Sequence, residues 1–189
     1  MSDGRDAQAD TQVKRRERLT RWDDPQRGRL QAEREGMSGI EFLRAIQSGQ
    51  FPPPPMAELL GMRLVSVEPG RVIFTVEPAE YHYNPIGVVH GGLAATLLDS
   101  AMGCAVQTLA PAGVAYLTLE LKVNLIRGLR MGMGVVSGEG TVLHFGRQTA
   151  LAEARLTDAE GKLYAYATST CLIVRQGADA SRSAADGAH

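Results

Sequence analysis

The chain has 189 residues, of which 44% are hydrophobic and 22% charged, and its formal net charge is −1. That balance supports one folded domain with ragged ends and excludes wholesale disorder. So neutral a chain gives no sign of a nucleic-acid partner, whose binders normally show a basic face.

Residues 1–35 carry nine Lys/Arg and eight Asp/Glu. The two signs nearly cancel, so this segment reads as a solvated or partner-docking tail, with a charged helix over Lys14–Arg21. It holds no apolar run of the kind a secretory signal requires. Met37–Gln50 is expected to be a short amphipathic helix. Ser38 stands at its N-cap with Glu41 three residues on, and Ile40, Phe42, Leu43 and Ile46 form an apolar stripe. Pro52–Pro55 should end that helix and run extended as a stiff spacer. Residues 1–56 are therefore expected to be an extension, 57–175 the folded body, and 176–189 a disordered tail with almost nothing to bury.

Within the body, Gly61–Val67 and Val72–Val76 read as two strands joined through Glu68-Pro69-Gly70-Arg71. His90–Thr108 is Ala- and Leu-rich, free of proline, and closed by Pro111 and Gly113, so it is the principal helix. Four strand-like runs follow: Val114–Ile126, the glycine-rich Gly132–Leu143, Arg147–Leu156 and Leu163–Val174. Their separators are good turn material. One apolar helix with two strands before it and four after it describes an α+β domain, an antiparallel sheet around or against the helix.

That helix contains one residue at odds with the rest. From Gly91 to Thr108, Asp99 is the only charged side chain. A membrane span of this length is disfavoured by Asp99, by Gln107 and by the β-rich surroundings. In a soluble core a carboxylate must be paired, hydrogen-bonded or facing a cavity. Helical spacing puts Asp99 on a face with Gly92, Ala95, Met102 and Val106. A capping role for Asp99 and a functional role in an apolar cleft both fit, and the second accounts better for its surroundings. Leu60, Leu93 and Met102 suit a hydrophobic pocket or the core equally.

Two glycines, Gly91 and Gly92, open the helix although glycine weakens helices. First-turn N–H groups lack helical partners and suit a developing oxyanion. His90, just before them, can cap, orient or transfer protons. Gly91 and Asp99 are eight residues apart, about 12 Å along a helix axis. One carbonyl cannot touch both in one copy, so a shared substrate requires two copies packed side by side. The chain has no G-x-S-x-G elbow, H-E-x-x-H or P-loop.

The pattern Asn84-x5-His90-Gly91-Gly92-x6-Asp99, followed by a Leu119-x-Leu121-x-Val123-Asn124 strand, resembles the hotdog-fold acyl-CoA thioesterases of the PaaI (phenylacetate-degradation) type, from about Gly61 to Val174. The resemblance implies a long helix wrapped by a curved antiparallel sheet, paired into homodimers and commonly homotetramers with sites at the subunit interface. It implies a coenzyme A thioester as substrate and neither cofactor nor metal. The roles it implies are a carbonyl-polarising N–H at Gly91, with Gly92 beside it, and Asp99 of the facing subunit as general base or nucleophile. Asn84 would hold the water or thioester, His90 would fix the turn, and Thr118 would assist the carboxylate. Arg147, in the Phe145-Gly146-Arg147 turn, would lie near the coenzyme A phosphates. Two other readings stay open: a non-catalytic acyl-CoA-binding protein, and an enoyl-CoA hydratase-like enzyme, whose D-x-x-x-x-H pattern Asp99 lacks. The two lone cysteines, Cys104 and Cys171, fit neither a disulfide framework nor a thiolate zinc site and point to a cytoplasmic location.

Overall fold

The computed structural model describes residues 36–175. The charged helix expected over Lys14–Arg21 and the tail 176–189 lie outside the described residues. Helix α1 spans Gly39–Gln47 with Ser38 at its N-cap. The Glu41 carboxylate accepts from the Ser38 backbone N–H at 2.8 Å and from its hydroxyl at 2.6 Å, the backward half of a capping box.

The proline run is extended only in part. Pro54 keeps polyproline backbone angles, but Pro55 is the first residue of a five-residue helix, α2, Pro55–Leu59. Proline lacks an N–H that the first helical turn does not use, so the residue that ends one helix can begin another.

Strands β1 (Arg63–Glu68) and β2 (Arg71–Val76) form a hairpin whose two-residue turn is Pro69-Gly70. Gly70 takes φ +74, a conformation that suits glycine. After a single 3-10 turn, Glu80–His82, comes helix α3, Gly91–Thr108, with His90 at its N-cap. Strands β3 (Val114–Leu125), β4 (Val136–Phe145), β5 (Thr149–Thr157) and β6 (Leu163–Arg175) complete one antiparallel sheet in the order β1-β2-β4-β5-β6-β3. Strand β4 begins four residues later than the sequence suggests. Gly132 and Gly134 both sit at positive φ, which breaks extended pairing.

The glycines that weaken β4 as a strand are what bring the helix close. A Cβ on Gly140 would overlap the backbone carbonyl of Ala101, and one on Gly138 would stand 3.0 Å from Leu97 Cγ. On β5 and β6 the helix-facing positions are mostly small as well: Ala150, Ala152, Ala154, Ala165, Ala167 and Ser169 are all buried. Small residues on the sheet let large ones on the helix fill the gap. Leu97, Leu98 and Met102 are fully buried, each stabilising by about 1.5–3 kcal/mol. Leu93 and Met102 thus belong to the core.

Residues 36–56 fold in the same compact unit as the body. Helix α1 is held by Gly39 N–H donating to the Ala110 carbonyl at 2.9 Å and by Gln47 Nε2 donating to the Val65 carbonyl at 2.9 Å. Among the described residues no helix is long and apolar enough to cross a membrane.

Candidate active site

Helix α3 carries two chemically distinct stations. The first is its N-terminus, where a cavity of about 260 Å³ is lined by Asn84, His90, Gly91, Leu125, Arg127 and Tyr164, among others. His90 Nδ1 accepts from the Gly92 N–H at 2.8 Å. In its neutral form the ring therefore carries its proton on Nε2, so His90 offers this cavity a donor. The two glycine amides are not equivalent. Gly92 is taken by the cap, whereas the Gly91 N–H has no partner among the described residues.

Asn84 organises the loop that leads into the helix. Its Oδ1 accepts from the N–H groups of Ile86 (3.1 Å) and Val88 (3.4 Å), and its own N–H donates to the Val88 carbonyl at 2.9 Å. The amide nitrogen of its side chain is left over to meet a ligand. Beneath this loop His82 is buried. Its Nδ1 accepts from the Ala79 N–H at 3.0 Å, its Nε2 pairs with the Leu60 carbonyl at 3.1 Å, and its own carbonyl accepts from the His90 N–H at 2.8 Å. Burial lowers the His82 pKa from its ordinary value, with the Leu60 bond opposing in part.

The second station is Asp99, two turns further along. It is half-buried, and its Oδ1 accepts from the Thr118 hydroxyl on β3 at 3.0 Å. Oδ2 has no hydrogen bond among the described residues. The strip of α3 that Asp99 shares is not the one spacing suggested. Gly92, Ala95, Thr96 and Ser100 are half-buried with it, while Met102 and Val106 face the core. The difference lies along the axis: past Ser100 the same face is covered, with Met102, Gly103 and Val106 all buried.

Nearby thiols are poor nucleophiles. Burial pushes Cys104 up to about 12, against a Tyr116 hydrogen bond that lowers it. Cys171 is also raised, first by burial and then, less, by the Asp99 charge. Both are protonated near neutrality and unreactive. No group of three or more His, Cys, Asp or Glu side chains among the described residues is arranged to hold a metal.

Gly146 and Arg147 lie in the exposed β4–β5 turn, where the Gly146 N–H donates to the Thr149 carbonyl at 2.8 Å. Across the sheet Phe145 pairs with Ala150, Ala150 with Cys171 and Cys171 with Thr118. Arg147 therefore belongs to the Asp99 end of the molecule and does not line the Gly91 cavity. The cation that does is Arg127, which also donates to the Leu163 carbonyl at 2.5 Å. Spacing gave no sign of Arg127 or Tyr164. The β3–β6 register, with Leu125 opposite Ala165, brings them to the cavity.

A long helix seated in a curved antiparallel sheet is the hotdog arrangement, here with a free amide at the helix start and a carboxylate two turns on. Residues 86–165 match the Thioesterase superfamily. Over 108 residues the chain is 33% identical to human acyl-coenzyme A thioesterase 13, covering 57% of this chain and 76% of that protein. It is 26% identical over 122 residues to a 1,4-dihydroxy-2-naphthoyl-CoA hydrolase of Listeria monocytogenes, covering 64% and 97%. The structure of the Escherichia coli PaaI protein of the phenylacetic acid degradation operon superposes with a TM-score of 0.64 at 19% identity, over 74% of this chain and 98% of that one. The chain belongs to the thioesterase superfamily, has the hotdog fold, and is a thioester hydrolase.

Proposed function

We propose that this chain hydrolyses acyl- or aryl-coenzyme A thioesters to the free acid and coenzyme A, at sites built from two copies. The observation that carries this reading is the separation of two unsatisfied groups on one rigid helix: the Gly91 N–H and Asp99 Oδ2, about 12 Å apart along its axis. Support for the second copy comes from β3. It is an edge strand, and Leu117, Leu119 and Leu125 along it are each more than half exposed. An unpaired edge with an apolar row invites a partner. Dimers, or dimers of dimers, with sites at the seam fit this surface.

In this scheme the Gly91 N–H of one copy polarises the thioester carbonyl, aided by the positive end of its helix. Asp99 of the other copy takes a proton from water as the water attacks, or attacks the carbonyl itself and forms an anhydride that water then opens. Thr118 holds the carboxylate, Asn84 Nδ2 and His90 Nε2–H meet the water or the sulfur, and the coenzyme leaves as thiolate. Arg147 of the copy that supplies Asp99 stands on the side where phosphates can be met. The names of the two curated relatives, one an acyl- and one an aryl-CoA hydrolase, support the substrate class. The free, unreactive thiols of Cys104 and Cys171 fit a cytoplasmic enzyme.

The test is coenzyme A release from a panel of acyl- and aryl-CoA thioesters by wild type and Asp99→Asn. Loss of the base should lower turnover by ~10²–10⁴ while thioester binding persists. Undiminished turnover in the variant removes Asp99 from the mechanism. Hydration of an enoyl-CoA without thiol release selects the hydratase reading, and binding without any turnover selects the non-catalytic one.

A further inference from the structure

The half-exposed strip of α3 that carries Asp99 is interrupted at Gly103, with Cys104 just beyond it again partly open. Gly92, Ala95, Thr96, Asp99 and Ser100 are all partly open, but Gly103, one turn beyond Asp99, is buried. What covers it is Tyr116. A Cβ on Gly103 would fall on the Tyr116 hydroxyl and ring carbons. Tyr116 lies two residues before Thr118 on β3, so both side chains leave the same face of the strand toward the helix. Its hydroxyl lies on the Cys104 side of the groove, close enough for each group to shift the other's pKa. The ring thus spans the groove between β3 and α3 and rests on helix backbone that only glycine leaves bare.

We propose that Tyr116 is a specificity-determining residue that closes the acyl-binding groove about 6 Å beyond Asp99, four residues along the helix axis, and so sets the longest acyl group accepted. This rests on the reading that places the thioester carbonyl beside Asp99. Toward the helix N-terminus the strip stays open and its residues are small. Toward the C-terminus an acyl chain meets the tyrosine ring, which cannot swing away without giving up its seat on Gly103.

The experiment is kcat/KM for straight-chain acyl-CoAs from two to sixteen carbons, with wild type, Tyr116→Ala, Tyr116→Leu and Tyr116→Phe. A methylene that no longer clashes is worth tenfold or more, by the ~10–200-fold range for hydrophobic pockets. Tyr116→Ala should therefore raise the kcat/KM of the first rejected chain, relative to the best accepted one, at least ~10-fold. Tyr116→Leu should move it part of the way and Tyr116→Phe should leave it in place. Adding Gly103→Leu to Tyr116→Ala refills the groove from the helix side and should restore the wild-type limit. A merely structural tyrosine would lower the unfolding midpoint without moving this ratio. An unchanged limit in folded Tyr116→Ala or Tyr116→Leu, or a shift that survives refilling by Gly103→Leu, overturns the proposal. If wild type and Tyr116→Ala hydrolyse neither a member of the series nor any aryl-CoA thioester, the underlying reading of Asp99 falls with the proposal; if wild type hydrolyses aryl-CoAs alone and Tyr116→Ala admits no straight chain, only the proposal falls.

Discussion

Replacing Gly91 with proline isolates one hydrogen atom. Gly91 is the first residue of α3, a position where proline's missing N–H costs no helical hydrogen bond and its fixed φ is already helical. The residue before a proline must be extended, and His90 already is, at φ −62 and ψ 132. The one steric demand is on Leu125, whose Cδ1 stands 2.5 Å from where a Cβ on Gly91 would lie. Leu125 is 58% exposed, so its side chain can turn away. The His90–Gly92 cap is untouched. If the Gly91 N–H donates to the developing oxyanion, its loss should cost ~10²–10³ in kcat, the ~2.7–4 kcal/mol typical of one such donor. Steady-state hydrolysis of a good acyl-CoA substrate reads the rate, and far-ultraviolet circular dichroism with thermal unfolding reads the helix. A variant that keeps its fold and its kcat refutes the assignment of Gly91 as the carbonyl-polarising group.

Other consequences are open to measurement. Refolding Asp99→Asn together with Gly91→Pro yields mixed dimers holding one intact and one doubly damaged site. Random pairing should restore about a quarter of wild-type turnover from two inactive parents, whereas none returns if both groups serve one copy. Because burial lowers the His82 pKa, the folded chain binds fewer protons than the unfolded one once pH falls below the free imidazole's ~6.5. Stability is then fully present above that pH and declines as pH drops through the folded-state value. Urea midpoints measured from pH 8 to 5 should show this slope, and His82→Gln should flatten it. Gly140→Ala should destabilise by at least the ~1–3 kcal/mol of an overpacked core, because its Cβ meets Ala101 backbone and stands 2.6 Å from Met102 N. Equal unfolding midpoints for wild type and Gly140→Ala would refute that packing.

Local signals carried most of the fold into view. The uninterrupted α3, the Pro69-Gly70 turn and the Ser38–Glu41 pair are each set by residues a few positions apart, and all three form as local chemistry requires. What stayed hidden depends on distant segments. Pro55 begins a helix because its successors pack, and Gly138 and Gly140 remain in a strand because the helix behind them needs room. The candidate site divides the same way. Asp99, Gly91 and His90 stood out on one helix, and Thr118 followed from the family's pattern. Arg127, Tyr164 and Tyr116 came into place only through the pairing of β3 with β6 and the packing of β3 on α3.

The glycine notch in β4 has a mechanical result. Ala101, two residues past Asp99, is locked against Gly140 like a key in a slot, so the helix cannot creep along its own axis. A slip of one residue would displace Asp99 by ~1.5 Å, enough to spoil the alignment that the proposed hydrolysis asks of it. Axial placement of Asp99 is thereby delegated to a backbone-on-backbone contact in the core, and the surrounding loops have no part in it.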